Sequence, residues 1–240
     1  MDGDGIALLR AVLDVLAGRQ ADAVLLKQIP NADKLRAARP EDLVLISASS
    51  HGYTDSDGIF YLVTSDTGTA EIKSPEFRRH CVSSDELSRW LRDVDAGELV
   101  MIVDACHSAA AIEGTDFKPG PMGSRGLGQL SYDKGMRILT ATQADNVALE
   151  KGGLGLLMRA LLQDGLASWQ ADYKPKDKSI MLTEWLSYGV ERVPRLYEEM
   201  KGGRIRGTFD ARELDNDKTQ QPSLFDFARR RREVVLARQP

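Results

Sequence analysis

The chain has 240 residues, 42% of them hydrophobic and 28% charged, enough to bury a core in a single domain spanning 1–240. Its 32 Lys and Arg against 36 Asp and Glu leave a formal net charge of −4, which points away from a general nucleic-acid or membrane binder. Two cysteines, Cys81 and Cys106, argue against a disulfide scaffold and for a reducing, cytoplasmic setting.

The N-terminal stretch starts acidic and carries Arg10 and Asp14 among its apolar residues, so it does not read as a secretory signal. No segment reaches the roughly 18 uninterrupted apolar residues that a membrane span needs. Residues 6–17 place Leu8, Leu9, Val12, Leu13, Val15 and Leu16 on one broad helical face. Leu43–Ala48 is a short continuous apolar run, expected as a strand buried on both faces and ending at Ser49-Ser50-His51-Gly52. Ile59–Thr64, between Asp57-Gly58 and Asp66-Thr67-Gly68, suggests a small hairpin. Ser83 and Glu86 have the spacing of a capping box, opening a helix that reaches about Asp93.

Leu99–Val103 reads as a second buried strand, ending at Asp104-Ala105-Cys106-His107-Ser108. Residues 113–135 are rich in glycine and proline and are expected as a long loop or linker. Met136–Ala141 predicts a third strand, leading to Gln143-Ala144-Asp145. Helical patterns follow at 154–164 and 183–199, the second with Thr183 as its cap. Gln220–Phe225 reads as an edge strand, because Pro222 has no N–H to donate to a ladder. The run Arg229–Arg232 reads as a solvated face. Strands alternating with helices imply an α/β domain with a mostly parallel sheet. Its sites should then gather at the carboxyl ends of the strands, where His51-Gly52, Asp104–Cys106 and Gln143–Asp145 fall.

A thiolate nucleophile needs an imidazole within hydrogen-bond reach and donors for the oxyanion that forms on attack. Cys106 and His51, presented from neighbouring strand ends, fit the first two roles. Gly52 is expected to turn the chain sharply and aim its N–H inward, so the backbone N–H groups of Gly52 and Cys106 are the expected oxyanion donors. Cys81 lacks such a context and reads as structural. Three histidines and two cysteines without ligand spacing speak against a metal site, His80 and His107 included.

Ser50-His51-Gly52 after one apolar strand and Asp104-Ala105-Cys106-His107-Ser108 after the next resemble the two catalytic motifs of metacaspases and prokaryotic caspase-like peptidases, or orthocaspases. The resemblance continues through Thr140–Asp145, Ala148–Glu150, the glycine-led helix at 152–163 and Gln220–Pro222, and spans roughly residues 40–226. His51 lies 55 residues before Cys106, close to the caspase spacing of about 50 residues. The family implies a three-layer α-β-α sandwich and a Cys-His dyad that cleaves peptide bonds.

The resemblance also implies a substrate. Aspartate-directed caspases would carry a glutamine where Asp104 stands, with arginines to hold an anion. In metacaspases an aspartate there lines the pocket for the residue before the scissile bond, and Asp145 fits the assisting acidic role. Two carboxylates in a cleft favour a guanidinium or ammonium guest, so cleavage after Arg or Lys is expected. Glu150 is a weaker pocket candidate. Lys118 and Arg125, in the segment after the nucleophile, are candidate self-cleavage points. Calcium activates some members of the family, but Asp55/Asp57 and Asp215/Asp217 lack a calcium-loop pattern and no cofactor is expected.

The family's domain normally begins with a strand, a helix and a second strand before the strand that carries the histidine. Here one clear helix and the segment Ala23–Leu26 precede Leu43, so these N-terminal elements read as missing or remodelled. A sheet shortened in this way exposes an edge, to be met by a regulatory domain or a partner chain. The competing readings are a caspase-like interaction module inactive in this form, an aspartate-directed caspase, and a small-molecule-binding α/β domain, for which Gly120–Gly128 lacks a phosphate-loop form.

Overall fold

A computed structural model describes residues 5–55, 57–65, 74–106, 125–141, 150–151, 154–202, 219–228 and 233–239. In chain order these form α1 (Gly5–Leu16), α2 (Ala23–Leu26), a 3-10 turn (Ala32–Lys34), β1 (Leu43–Thr54), β2 (Phe60–Val63), α3 (Pro75–Arg79), β3 (Cys81–Ser83), α4 (Ser84–Leu91) and β4 (Glu98–Cys106). Then come α5 (Arg125–Lys134), β5 (Arg137–Thr140), β6 (Glu150–Lys151), β7 (Leu154–Gly155) and α6 (Leu156–Met158), which continues as a π-helix over Arg159–Ala167. The remainder is β8 (Ser179–Met181), α7 (Leu182–Lys201), β9 (Ser223–Asp226) and β10 (Val235–Arg238).

The domain is mixed α/β. Six strands form one sheet in the order β3-β2-β1-β4-β5-β9. Its centre, β1-β4-β5, is parallel as expected, whereas β2, β3 and β9 flank it antiparallel. Among the described residues β9 is the outer strand of this sheet, as expected, but it begins directly after Pro222, which takes no part in the ladder.

Helices cover both faces of the sheet. Leu99, Met101 and Val103 of β4 pack with Leu13 of α1, Leu87 and Leu91 of α4, and Leu127 and Leu130 of α5. Val100 and Ile102 point the other way, into a core with Leu156, Leu157 and Leu161 and with Trp185, Leu186 and Val193 of α7. Both sets are almost fully buried, so β4 meets the expectation of a strand covered on two sides. β1 does not. Its exposure alternates, with Leu45, Ser47, Ser49 and His51 open and Val44, Ile46, Ala48 and Ser50 half-buried. An apolar run by itself does not reveal which of its two faces is the more open.

β1 pairs with β4 from Leu43 to His51 but with β2 only through Gly52–Thr54. Among the described residues, its stretch 43–49 therefore has a strand partner on one side alone. Residues 5–42 are all described and contain helices and turns but no strand. Ala23–Leu26, ambiguous in sequence, is a single helical turn capped by Asp22, whose carboxylate accepts from the Val24 N–H at 2.7 Å.

The capping box at α4 forms as the spacing predicts. The Glu86 N–H donates to Ser83 Oγ at 3.2 Å, and the Ser83 N–H donates to Glu86 Oε2 at 3.0 Å. Two expectations need correction. The glycine-rich stretch 113–135 is not loop throughout, because 125–134 is α5, packed on α4 and bearing the buried Leu127 and Leu130. Burial at that spacing outweighs the glycines' poor helix propensity. Thr183 does not cap α7, which begins at Leu182; its hydroxyl donates to Glu233 at 2.8 Å instead. No helix of the described residues is long and apolar enough to cross a membrane.

At the amino ends of the central strands, Arg137 of β5 makes a buried ion pair with Glu98 of β4 and lies 3.2 Å from Asp226 of β9. The second Glu98 oxygen is buried without a hydrogen-bond partner among the described residues. Burial pushes the Glu98 carboxyl above its ordinary value, against the opposing pull of Arg137. Removing one partner of such a pair leaves the other charge uncompensated, so Glu98→Ala should cost about 3 kcal/mol in urea unfolding. A raised folded-state pKa favours folding most below the ordinary carboxyl range, and that contribution fades as pH rises through the raised value. Across a pH series, Glu98→Gln should remove this component of the stability profile.

Candidate active site

The β1–β4 ladder fixes the geometry of the carboxyl rim. Its register sets Ser49 opposite Asp104, Ser50 opposite Ala105 and His51 opposite Cys106. Parallel neighbours lie about 4.8 Å apart, so the backbones carrying the imidazole and the thiol are adjacent although 55 residues separate them in sequence. Strand alternation puts positions 104 and 106 on the face that holds Val100 and Ile102, and position 51 on the matching face of β1.

His51 is exposed, and it follows a residue tied firmly in place. Ser50 Oγ donates to the Val63 carbonyl of β2 at 2.5 Å. Beyond the histidine the chain does not turn sharply at Gly52. Gly52 continues the strand as the antiparallel partner of Leu62, followed by Tyr53 opposite Tyr61 and Thr54 opposite Phe60. The strand changes neighbours at this point, from β4 on one side to β2 on the other, and a ladder on either side demands extended backbone. Tyr53 is buried, stacked on Tyr61 with ring centroids 4.8 Å apart and tilted against Phe77. That burial pushes its hydroxyl well above the ordinary phenol value. Cys81 lies beneath the same cluster, 3% exposed, its thiol 3.3 Å from the Phe77 carbonyl.

Asp104 is 1% exposed. Its Oδ2 accepts from the Met158 N–H at 3.3 Å, so the carboxylate stands at the start of the continuous helix formed by α6 and the π-helix. Gly155 presses on it, and a Cβ at that position would stand 2.2 Å from Oδ2. Met158 also packs against β1, with its sulfur 3.8 Å from Ser47 Oγ. Sequence reasoning missed Ser50, Gly155 and Met158. Ser50 stood in the motif with His51 but was given no role, and Gly155 stood in the glycine-led helical segment.

Asp145, Lys118 and His107 lie outside the described residues, as do Asp215, Asp217 and Arg229–Arg232. Arg125 is the first residue of α5, and Glu150 belongs to β6. Asp55 serves a turn, its Oδ1 accepting from the Asp57 N–H at 3.1 Å and the Ile59 N–H at 2.9 Å. Among the described residues, no three His, Cys, Asp or Glu side chains gather to hold a metal. Two hollows, of about 220 and 300 Å³, are lined by residues such as Gly97 and Lys134, and Arg137 and Asp226. They lie at the amino ends of the strands, roughly 20 Å from His51 at about 3.3 Å per strand residue.

No family model matches this chain, and no curated protein matches it either.

The Met158 contact makes Asp104 a structural group whatever else it does. Asp104→Ala should lower stability by about 1 kcal/mol, as loss of a helix-terminal acceptor does. Asp104→Asn keeps an acceptor oxygen and should recover most of that loss in thermal unfolding.

Proposed function

We propose that this protein is a caspase-like cysteine endopeptidase that cleaves after Arg or Lys, with Cys106 as nucleophile and His51 as its acid–base partner. The observation that carries the reading is the ladder register that sets His51 beside Cys106 at the carboxyl rim of a parallel sheet, where such folds place their chemistry. The three-layer arrangement of the domain agrees with it.

In the proposed reaction the Cys106 thiolate adds to the carbonyl carbon of the scissile bond. Backbone N–H groups of Cys106 and Gly52 stabilise the oxyanion, although Gly52 serves from an extended strand and not from a turn. As the C–N bond breaks, the His51 imidazolium gives its proton to the leaving amine and an acyl-enzyme remains. His51 then takes a proton from water, whose oxygen attacks the thioester and returns the thiolate. Asp104, with Asp145 assisting, holds the guanidinium or ammonium of the residue before the cleaved bond.

A peptide library cut by wild type and by Cys106→Ala tests the reading. Cleavage should follow Arg and Lys and disappear in Cys106→Ala, while His51→Ala should lower kcat/KM by about 100- to 10,000-fold. Faster cleavage after Asp than after Arg would reject the acidic pocket. Intact masses of wild type and Cys106→Ala that differ only by the one sulfur atom of the substitution would eliminate self-cleavage at Lys118 or Arg125.

One observation favours a second reading, a caspase-like interaction module. Among the described residues, the stretch 43–49 of β1 has a strand partner on one side alone, and Leu45 is 40% exposed, which suits a sheet completed by another segment. A thiol-reactive peptide with a basic end group separates the two readings, because an assembled dyad reacts fast at Cys106 and an unassembled one does not.

A further inference from the structure

His51 is exposed, so burial in a core does not hold its side chain in place. Its position beside Cys106 depends on the main chain that carries it, and there β1 changes neighbours. The last pair of the β1–β4 ladder is His51↔Cys106, and the first pair of the β1–β2 ladder is Gly52↔Leu62. The histidine stands where one ladder ends and the other is about to begin.

Ser50 spans that step. Its main chain belongs to the β4 ladder, opposite Ala105, while its Oγ donates to the Val63 carbonyl of β2 at 2.5 Å. Val63 is in turn paired with Cys81 of β3, and both residues are buried. One residue before the imidazole, β1 is therefore fastened to β4 on one side and to the β2–β3 pair on the other. Ser50 is half-buried and Val63 is buried, so loss of the hydroxyl would leave the carbonyl short of a donor that water replaces poorly.

We propose that Ser50 is a positioning residue for the reaction, its hydroxyl setting the backbone from which His51 reaches the Cys106 thiol. This rests on the reading of His51 and Cys106 as a dyad. Proton transfer needs the imidazole within hydrogen-bond reach of the sulfur, and a displacement of about 1 Å is enough to cost about 100-fold in rate. An imidazolium at that distance also holds the thiol below its ordinary value of about 8.5. Loss of the tie thus has two linked consequences, slower turnover and a thiol that ionises at higher pH. The proposed anchor for the basic residue, Asp104, lies on β4 and takes no part in the tie, so substrate binding is spared.

The experiment uses the full chain as wild type, Ser50→Thr and Ser50→Val. The two replacements have nearly the same shape and both suit a strand, so the hydroxyl is what separates them. One readout is kcat and KM on a peptide with arginine before the scissile bond. The other is the pH dependence of iodoacetamide alkylation at the Cys106 peptide, followed by mass spectrometry. Ser50→Val should lower kcat about 10- to 100-fold with KM within about threefold of wild type. It should also move the alkylation inflection upward towards about 8.5, and Ser50→Thr should restore both. Asp104 is the same in every variant and does not account for a difference between them. Thermal melts confirm that each variant is folded at the assay temperature, with Ser50→Ala in place of Ser50→Val should the latter not fold. Equal values for Thr and Val would overturn the role of the hydroxyl and leave the dyad standing. A lower kcat with an unmoved inflection would do the same, because it marks a serine that serves stability alone. A wild type that leaves arginyl peptides uncut and alkylates at Cys106 as an ordinary thiol would overturn the dyad and the positioning role together.

Discussion

The candidate site depends on one parallel ladder. Nine consecutive positions of β1 face β4 in unbroken register, and the last of these pairs joins His51 to Cys106. A slip of one residue would move every side chain of β1 to the opposite face and separate the imidazole from the sulfur-bearing position. Register is secured where side chains are buried, and here β4 supplies the burial. Its residues alternate between two apolar layers, so it can sit in one phase alone. β1 shares that phase through its hydrogen bonds to β4 and through Val44, Ile46 and Ala48, which pack against the core that holds Leu99, Met101 and Val103.

The two ends of the sheet are built for different tasks. At the amino ends, Glu98, Arg137 and Asp226 join three neighbouring strands through side chains of opposite charge. At the carboxyl ends the polar groups serve loops and helix starts: Ser50 holds β2, Asp55 shapes a turn and Asp104 receives the first turn of a helix. The Asp104 carboxylate accepts from the helix start on one side and lies against the backbone of Gly155 on the other.

The elements with strong local signals were legible in the sequence. The apolar face of α1, the capping box of Ser83 and Glu86, the continuous apolar run of β4 and the proline before β9 each carry their own physical cause. The elements that depend on distant neighbours were not. Nothing in Leu43–Ala48 distinguishes a strand covered on both faces from one more open on one, because the exposure of Leu45 is decided by its neighbours in space. α5 hid behind its glycines, since propensity counts against a helix that burial of Leu127 and Leu130 supports. At the site, sequence order brought out His51 and Cys106 as a pair. It did not show that Gly52 would stay extended or that Asp104 would be covered, for both follow from strands and helices that meet only in three dimensions.

The half-partnered stretch of β1 has a bearing on handling. Leu43–Ser49 contains no charge, no proline and no glycine, is rich in residues that suit extended backbone, and keeps one line of main-chain groups without a strand alongside among the described residues. Those are the attributes of segments that stack into cross-β assemblies when their concentration rises. An edge of this kind favours association between chains, and it lies on the same strand that carries His51.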